Sequence, residues 1–212
     1  ATTQIRPEVV DEIKNCLLET YGNPSSTHSF GRSAKAKLEN SRKAIASHLN
    51  ASPQEIIFTS GGTESDNMLI RCAVKDIGVT TIISSKIEHH AVLHTLDDLE
   101  SLGISIKYVK INKFGQVDFD DLEALLKEDN SKKLVTLMYV NNEIGTILDI
   151  KKVGILCKKY DALFHTDAVQ GVAHFNIDVE LNNIDFLSAA AHKFHGPKAV
   201  SYTHLRAHET HE

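Results

Sequence analysis

The run KLVTLMYV at residues 133–140, followed at 141–145 by NNEIG, decides how this chain folds. It is almost unbroken in apolar residues, so it does not alternate as a strand with one wet face would. Such a strand is covered on both faces, as in a parallel sheet flanked by helices. The runs EIIFTS (55–60), TTIISS (80–85), ISIKYVKI (104–111), ALFHTD (162–167) and IDFLSAAA (184–191) read as further strands. Between and before them, residues 7–19, 31–49, 64–74, 90–101, 119–127 and 149–160 carry helical spacing. The pattern predicts an α/β fold: a mostly parallel sheet covered by helices on both faces. Residues 1–198 show no repeat and no internal linker, with residues 1–30 leading in.

Composition excludes several classes. The 212 residues carry a formal net charge of -5 and no basic tract, which argues against a nucleic-acid-coating surface. No apolar stretch is long enough to span a bilayer, and the start has no signal-peptide pattern. Cys16, Cys72 and Cys157 are widely spaced with no CxxC pair, so neither a zinc site nor a disulfide framework is expected. A reducing, cytoplasmic compartment fits. Each cysteine falls on an apolar helical stripe, and core packing is expected for all three. Residues 199–212 contain three histidines and no usable periodicity. They read as a His-rich metal-binding tail or as a non-native segment, and the second reading leaves them outside the fold.

In open α/β sheets ligands bind beyond the carboxyl ends of the strands. Gly61-Gly62-Thr63 follows the first strand and opens a helix, with Thr63 as a possible cap. Glycines let backbone amides approach an anion, and a helix N-terminus favours negative charge. An ordinary turn and cap is the plain alternative. His89, Asn142, Asp167 with Gln170, and His192 with Lys193 follow four other strands. Alone, each has a plain reading as a loop histidine, turn former, helix cap or solvated strand end. Together they place groups of unlike chemistry at one sheet edge. A lysine can bond a carbonyl, a carboxylate can face a ring nitrogen, and a helix start can hold a phosphate. Pyridoxal phosphate has an aldehyde, a pyridine nitrogen and a phosphate. His89 can lie over its ring, and Asn142 and Gln170 can bond its phenolic oxygen.

The motifs YGNPSSTHSFGR, EIIFTSGGTESDN, IEHHAVL, MYVNNEIGTI, HTDAVQ and SAAAHKFHGPK, with the initial ATT, resemble those of NifS-like cysteine desulfurases. These belong to the class V aminotransferase group of fold-type I pyridoxal-phosphate enzymes. The resemblance covers residues 1–198 and implies a pyridoxal-phosphate-binding large domain whose C-terminal small domain is missing. It implies Lys193 as the catalytic lysine that bonds the cofactor and His89 as a ring-stacking proton carrier. Asp167 would pair with the ring nitrogen, Asn142 and Gln170 would lie near the phenolic oxygen, and Gly62, Thr63 and His192 would contact the phosphate. No metal is implied. The implied reaction converts L-cysteine to L-alanine and passes the sulfur to an iron–sulfur scaffold or other acceptor, in a cytoplasmic homodimer. A selenocysteine lyase, another class V aminotransferase, or a non-catalytic cofactor- or partner-binding remnant are the alternatives. Two departures stand out: Ala190 occupies a position where many relatives have serine, and after GPK the sequence leaves the family pattern. The family's nucleophilic cysteine and substrate-binding arginine lie beyond that point, so this chain is expected to be inactive.

Overall fold

A seven-stranded sheet in the order β1-β7-β6-β5-β4-β2-β3 forms the centre of the computed structural model, which describes residues 2–198 and 201–205. Its strands are β1 (Ile56–Thr59), β2 (Thr81–Ser84), β3 (Ser105–Tyr108), β4 (Lys133–Thr136), β5 (Leu163–Asp167), β6 (Phe186–Ala190) and β7 (Ser201–Leu205). The pairings β3–β2, β2–β4, β4–β5 and β5–β6 are parallel, and β7 runs antiparallel to both β1 and β6. Every residue of β2, β4, β5 and β6 is buried, as their near-continuous apolar runs require.

The helices are α1 (Pro7–Glu19), α2 (Ser29–Leu49), α3 (Gly62–Lys75), α4 (His90–Ser101), α5 (Phe119–Lys127) and α6 (Ile150–Lys159). On one face, Leu69 and Ile70 of α3 and Val92 and Leu96 of α4 pack with Ile82, Leu134, Leu163 and Phe186. On the other, Leu49 of α2, Leu122 of α5 and Val153 of α6 pack with Ile83, Val135, Phe164 and Leu187. Successive strand residues thus enter opposite cores, as period-2 geometry dictates. Asp118 caps α5 by accepting from the Asp120 and Asp121 amides, and Asp149 caps α6 by accepting from the Lys152 amide.

Three expectations need correction. Ser201–Leu205 is not outside the fold but fills the sheet between β1 and β6, pairing from Ile56↔His204 to Ala190↔Ser201. Ladder bonds to two strand edges outweigh its weak apolar pattern; the rest of 199–212 lies outside the described residues. The long apolar run ends its ladder at Thr136, after which Leu137 and Tyr139 still donate to the His165 and Asp167 carbonyls. Of the cysteines, Cys157 is buried, whereas Cys16 and Cys72 are half-buried. Cys16 lies on α1, a helix with no buried residue, so its apolar stripe meets no core.

Candidate active site

The strand order reverses between β2 and β4, where successive connections leave in opposite directions along the sheet. Such a reversal opens a crevice at the carboxyl ends of the strands. A cleft of about 310 Å³ lies there, and Gly62, Thr63, His89, Asn142, Asp167, Gln170, His192 and Lys193 all line it. The five strand–loop boundaries that the sequence singled out therefore meet in one place. Asp66, Met138, Glu143, Val169 and Ala190 complete the lining.

Gly61 is the N-cap of α3 and makes no side-chain cap; Thr63 lies inside the first turn, contrary to the expectation that it caps. The first intrahelical bond runs from the Ser65 amide to the Gly61 carbonyl, so the amides before it are left for another partner. Glu64 instead braces the turn, accepting from the Ser60 amide and hydroxyl at 2.6 Å each. A Cβ on Gly62 would stand 3.0 Å from Val169 Cγ2, so a larger residue would crowd the cleft wall.

Asp167 ends β5 with 5% exposure, and one carboxylate oxygen accepts from the Val169 amide at 3.0 Å. Burial raises its pKa; the Val169 amide and the charges of His89 and Lys193 pull the other way. His89 is the N-cap of α4: its Nδ1 accepts from the Ala91 amide at 3.1 Å, which places the neutral ring's proton on Nε2. Asn142 is exposed and donates to Glu143 at 2.7 Å. Its neighbour Asn141 is buried and shapes the loop, donating to the Ile87 carbonyl and accepting from the Glu143 and Ile144 amides.

His192 and Lys193 close a 3-10 turn, Ala191–Lys193, directly after β6, and both are half-buried. Burial, followed by the positive charge of Lys193, lowers the His192 pKa. The turn is tied to the start of the chain: Thr3 donates to the His192 carbonyl through its amide and hydroxyl and accepts from the His195 amide at 2.7 Å. His195 itself is left-handed at φ 69°. Ala190, the departure from the usual serine, is buried and presents only a methyl group to the cleft.

Two carboxylates escaped the sequence reading. Asp66 is 1% exposed on α3, and burial, the Asp167 charge and the Glu88 charge all raise its pKa well above the usual carboxylate range. Glu88 precedes His89, accepts from the Ser85 hydroxyl at 2.6 Å and the Met138 amide at 2.8 Å, and is pushed by burial to about 8. Each was hidden in a polar run, because what makes it unusual is a neighbour far away in sequence. None of the three cysteines lines the cleft, and among the described residues no group of His, Cys, Asp or Glu is arranged to hold a metal ion.

A mostly parallel sheet with a polar cleft at the carboxyl ends of its strands defines an α/β scaffold built to hold a ligand there. The chain belongs to the aminotransferase class-V family, whose model matches residues 1–210. It is 46% identical over 208 residues to the cysteine desulfurase IscS of Dictyoglomus turgidum, covering 97% of this chain and 52% of that protein. It is 44% identical over 205 residues to the putative cysteine desulfurase IscS 1 of Bacillus subtilis strain 168, covering 95% of this chain and 53% of the relative. Among solved structures, a NifS-like protein superposes with a TM-score of 0.92 at 39% identity, over 97% of this chain and 57% of that one. SspA in complex with cysteine superposes at 0.88 with 32% identity, over 96% and 59% of the two chains. The chain thus spans about half the length of the curated relatives it matches. No described helix is long and apolar enough to cross a membrane.

Proposed function

We propose that this chain is the cofactor-binding part of a pyridoxal-phosphate-dependent cysteine desulfurase that releases L-alanine from L-cysteine. The observation that carries the reading is the meeting of Lys193, Asp167, His89 and the start of α3 around one cleft. Its volume of about 310 Å³ lies at the small end of ligand pockets. The donor set fits the cofactor: a buried carboxylate that lacks a direct cationic partner among the described residues, a primary amine, and helix-start amides left for an anion. The bound cofactor would supply an electron sink for bonds at the α-carbon of an amino acid.

The chain's own residues then have distinct tasks. Asp167 would hold a proton on the ring nitrogen, because a neighbouring anion favours the charged form. The first-turn amides of α3, the Thr63 hydroxyl and His192 would hold the phosphate. Asn142 and Gln170 would donate to the phenolic oxygen. His89 would cover the ring and carry a proton at Nε2. Lys193 would supply the amine that bonds the aldehyde and would carry a proton at Nζ once released.

The wider reading places the whole protein in the cytoplasm as a homodimer that passes sulfur to an iron–sulfur scaffold or another acceptor. It rests on the resemblance to the named desulfurases. The test is to incubate the chain with pyridoxal phosphate, reduce with borohydride and map the modified lysine by mass spectrometry. Label on Lys193 is expected; label scattered over other lysines, with none on Lys193, overturns the assignment.

A further inference from the structure

One face of three adjacent strands descends in layers from the cleft. Nearest the α3–α4 core stand Leu134, Leu163 and Phe186. Two residues further on come Thr136, His165 and Ser188, all fully buried. Two further still are Met138, Asp167 and Ala190, which line the cleft. Helix α3 repeats the order one turn at a time, with Ile70 in the core, then Asp66, then Gly62 at the cleft. A staggered layer of polar side chains therefore separates the apolar core from the cleft, with Phe186 in register beside His165 and Ser188 beside Asp167.

His165 is the hub of that layer. Its Nδ1 lies 2.7 Å from Thr136 Oγ1, and its Nε2 lies 3.3 Å from Ser188 Oγ and 3.5 Å from Asp66 Oδ1. Asp66 Oδ1 is buried without a hydrogen-bond partner of good geometry, even though it stands within ion-pair range of the ring. An ionised carboxylate with an orphaned oxygen at this depth would be severely destabilised. The groups facing Asp66 are Asp167 on β5 and Glu88 before α4, both acidic, with His165 and the Ser188 hydroxyl. None supplies a cation, since burial lowers the His165 pKa to about 3. A carboxyl proton on Asp66 removes the conflict. It can face His165 Nε2, while His165 Nδ1–H donates to Thr136.

We propose that Asp66 is a positioning residue for Asp167: protonated beside a neutral His165, it forms an uncharged carboxyl–imidazole pair beneath the cleft. Asp167, two residues from His165 on the same strand, is thereby left as the anion that faces the ligand. The proposal rests on the reading of the cleft as a pyridoxal-phosphate site. It gives Asp66 a task that the cleft lining alone does not. Lys193 and His89 draw negative charge to Asp167, and a second anion at Asp66 would compete for it.

The test uses the 212-residue chain labelled with carboxyl-13C aspartate and 15N histidine, with resonances assigned by loss in Asp66→Asn and Asp167→Asn. At about pH 6.5, well above an ordinary aspartyl pKa of about 3.9, the Asp66 carbon should report a protonated carboxyl and His165 a neutral ring. An ionised Asp66 carbon, with or without an imidazolium at His165, overturns the proposal. The Asp167 titration midpoint should stay in place in Asp66→Asn. A fall of about one pH unit or more, the signature of removing a neighbouring anion, overturns it equally. Pyridoxal phosphate provides the functional arm: Asp66→Ala should weaken its binding about tenfold, and the neutral Asp66→Asn should restore most of that loss. Asn behaving no better than Ala overturns the proposal. The proton positions are read without cofactor, so a chain that fails to take pyridoxal phosphate sinks the cofactor reading separately.

Discussion

Glu88→Gln should change how stability depends on pH far more than it changes the fold. Glu88 is 7% exposed and is pushed to about 8 by burial, with Asp167 adding to the rise and the Ser85 and Met138 hydrogen bonds opposing it. In the unfolded chain a glutamate titrates near about 4.3. Between these values the native state keeps a proton that the unfolded state has released. Stability therefore falls as pH rises through that window, and the loss levels off above the folded pKa. From pH 5 to pH 8 the loss due to this group is about 4 kcal/mol, at about 1.36 kcal/mol per unit. Gln keeps the shape, can accept from the Met138 amide and can donate to Ser85, but does not titrate. Urea unfolding followed by circular dichroism at pH 5 and pH 8, for both chains, isolates the effect of Glu88 and its coupling to Asp66 and Asp167, because titrating groups away from this cluster cancel in the difference. Wild type should lose about 4 kcal/mol more than Glu88→Gln across that interval. Parallel pH profiles would refute the assignment of a raised, proton-retaining Glu88.

Asp167→Asn should weaken pyridoxal phosphate binding about tenfold or more, since it removes a charge-assisted hydrogen bond, while the urea midpoint at pH 7 should not fall. A thiol reagent should label Cys16 and Cys72 in the folded chain and reach Cys157 only on unfolding, because burial raises the Cys157 thiol pKa and blocks access. Gly154→Ala should cost about 3 kcal/mol by urea unfolding, because its Cβ would run into the Asn182 carbonyl that packs on α6. The 212-residue chain should release no alanine from cysteine beyond a Lys193→Ala control, because no described cysteine lines the cleft.

The parallel strands were legible because burial on both faces leaves a continuous apolar run. Residues 81–84, 163–167 and 186–190 needed nothing beyond that rule. The seventh strand was not legible. Ser201, Thr203 and His204 are buried because β1 and β6 offer two free edges, and no local pattern announces an edge that distant segments create. The α1 stripe misled for the converse reason. Val9, Ile13 and Cys16 repeat at helical spacing yet none is buried, since amphipathicity shows that a helix has an apolar face, not that a core meets it. Nothing in the sequence singled out Asp66 or Glu88. Their perturbation comes first from burial and then from the charge of Asp167, both of which act on them only after folding.

Two lysines border apolar strands, and sheet polarity separates them. Lys133 begins β4 and is the more deeply buried, at 3% exposure. Its ammonium is 2.7 Å from the Asp129 carboxylate and also donates to the Ser131 carbonyl. That charge is spent on holding a strand start. Lys193 follows β6 at the opposite end, half-buried, where the cleft opens and, among the described residues, Asp167 balances it through space. A lysine that is already paired has no amine to offer, whereas one held beside a cleft without a direct partner does. The carboxyl end of a parallel sheet is also where connections diverge and leave room for a ligand. Burial alone would have selected Lys133; the direction of the strands is what favours Lys193 for the proposed role.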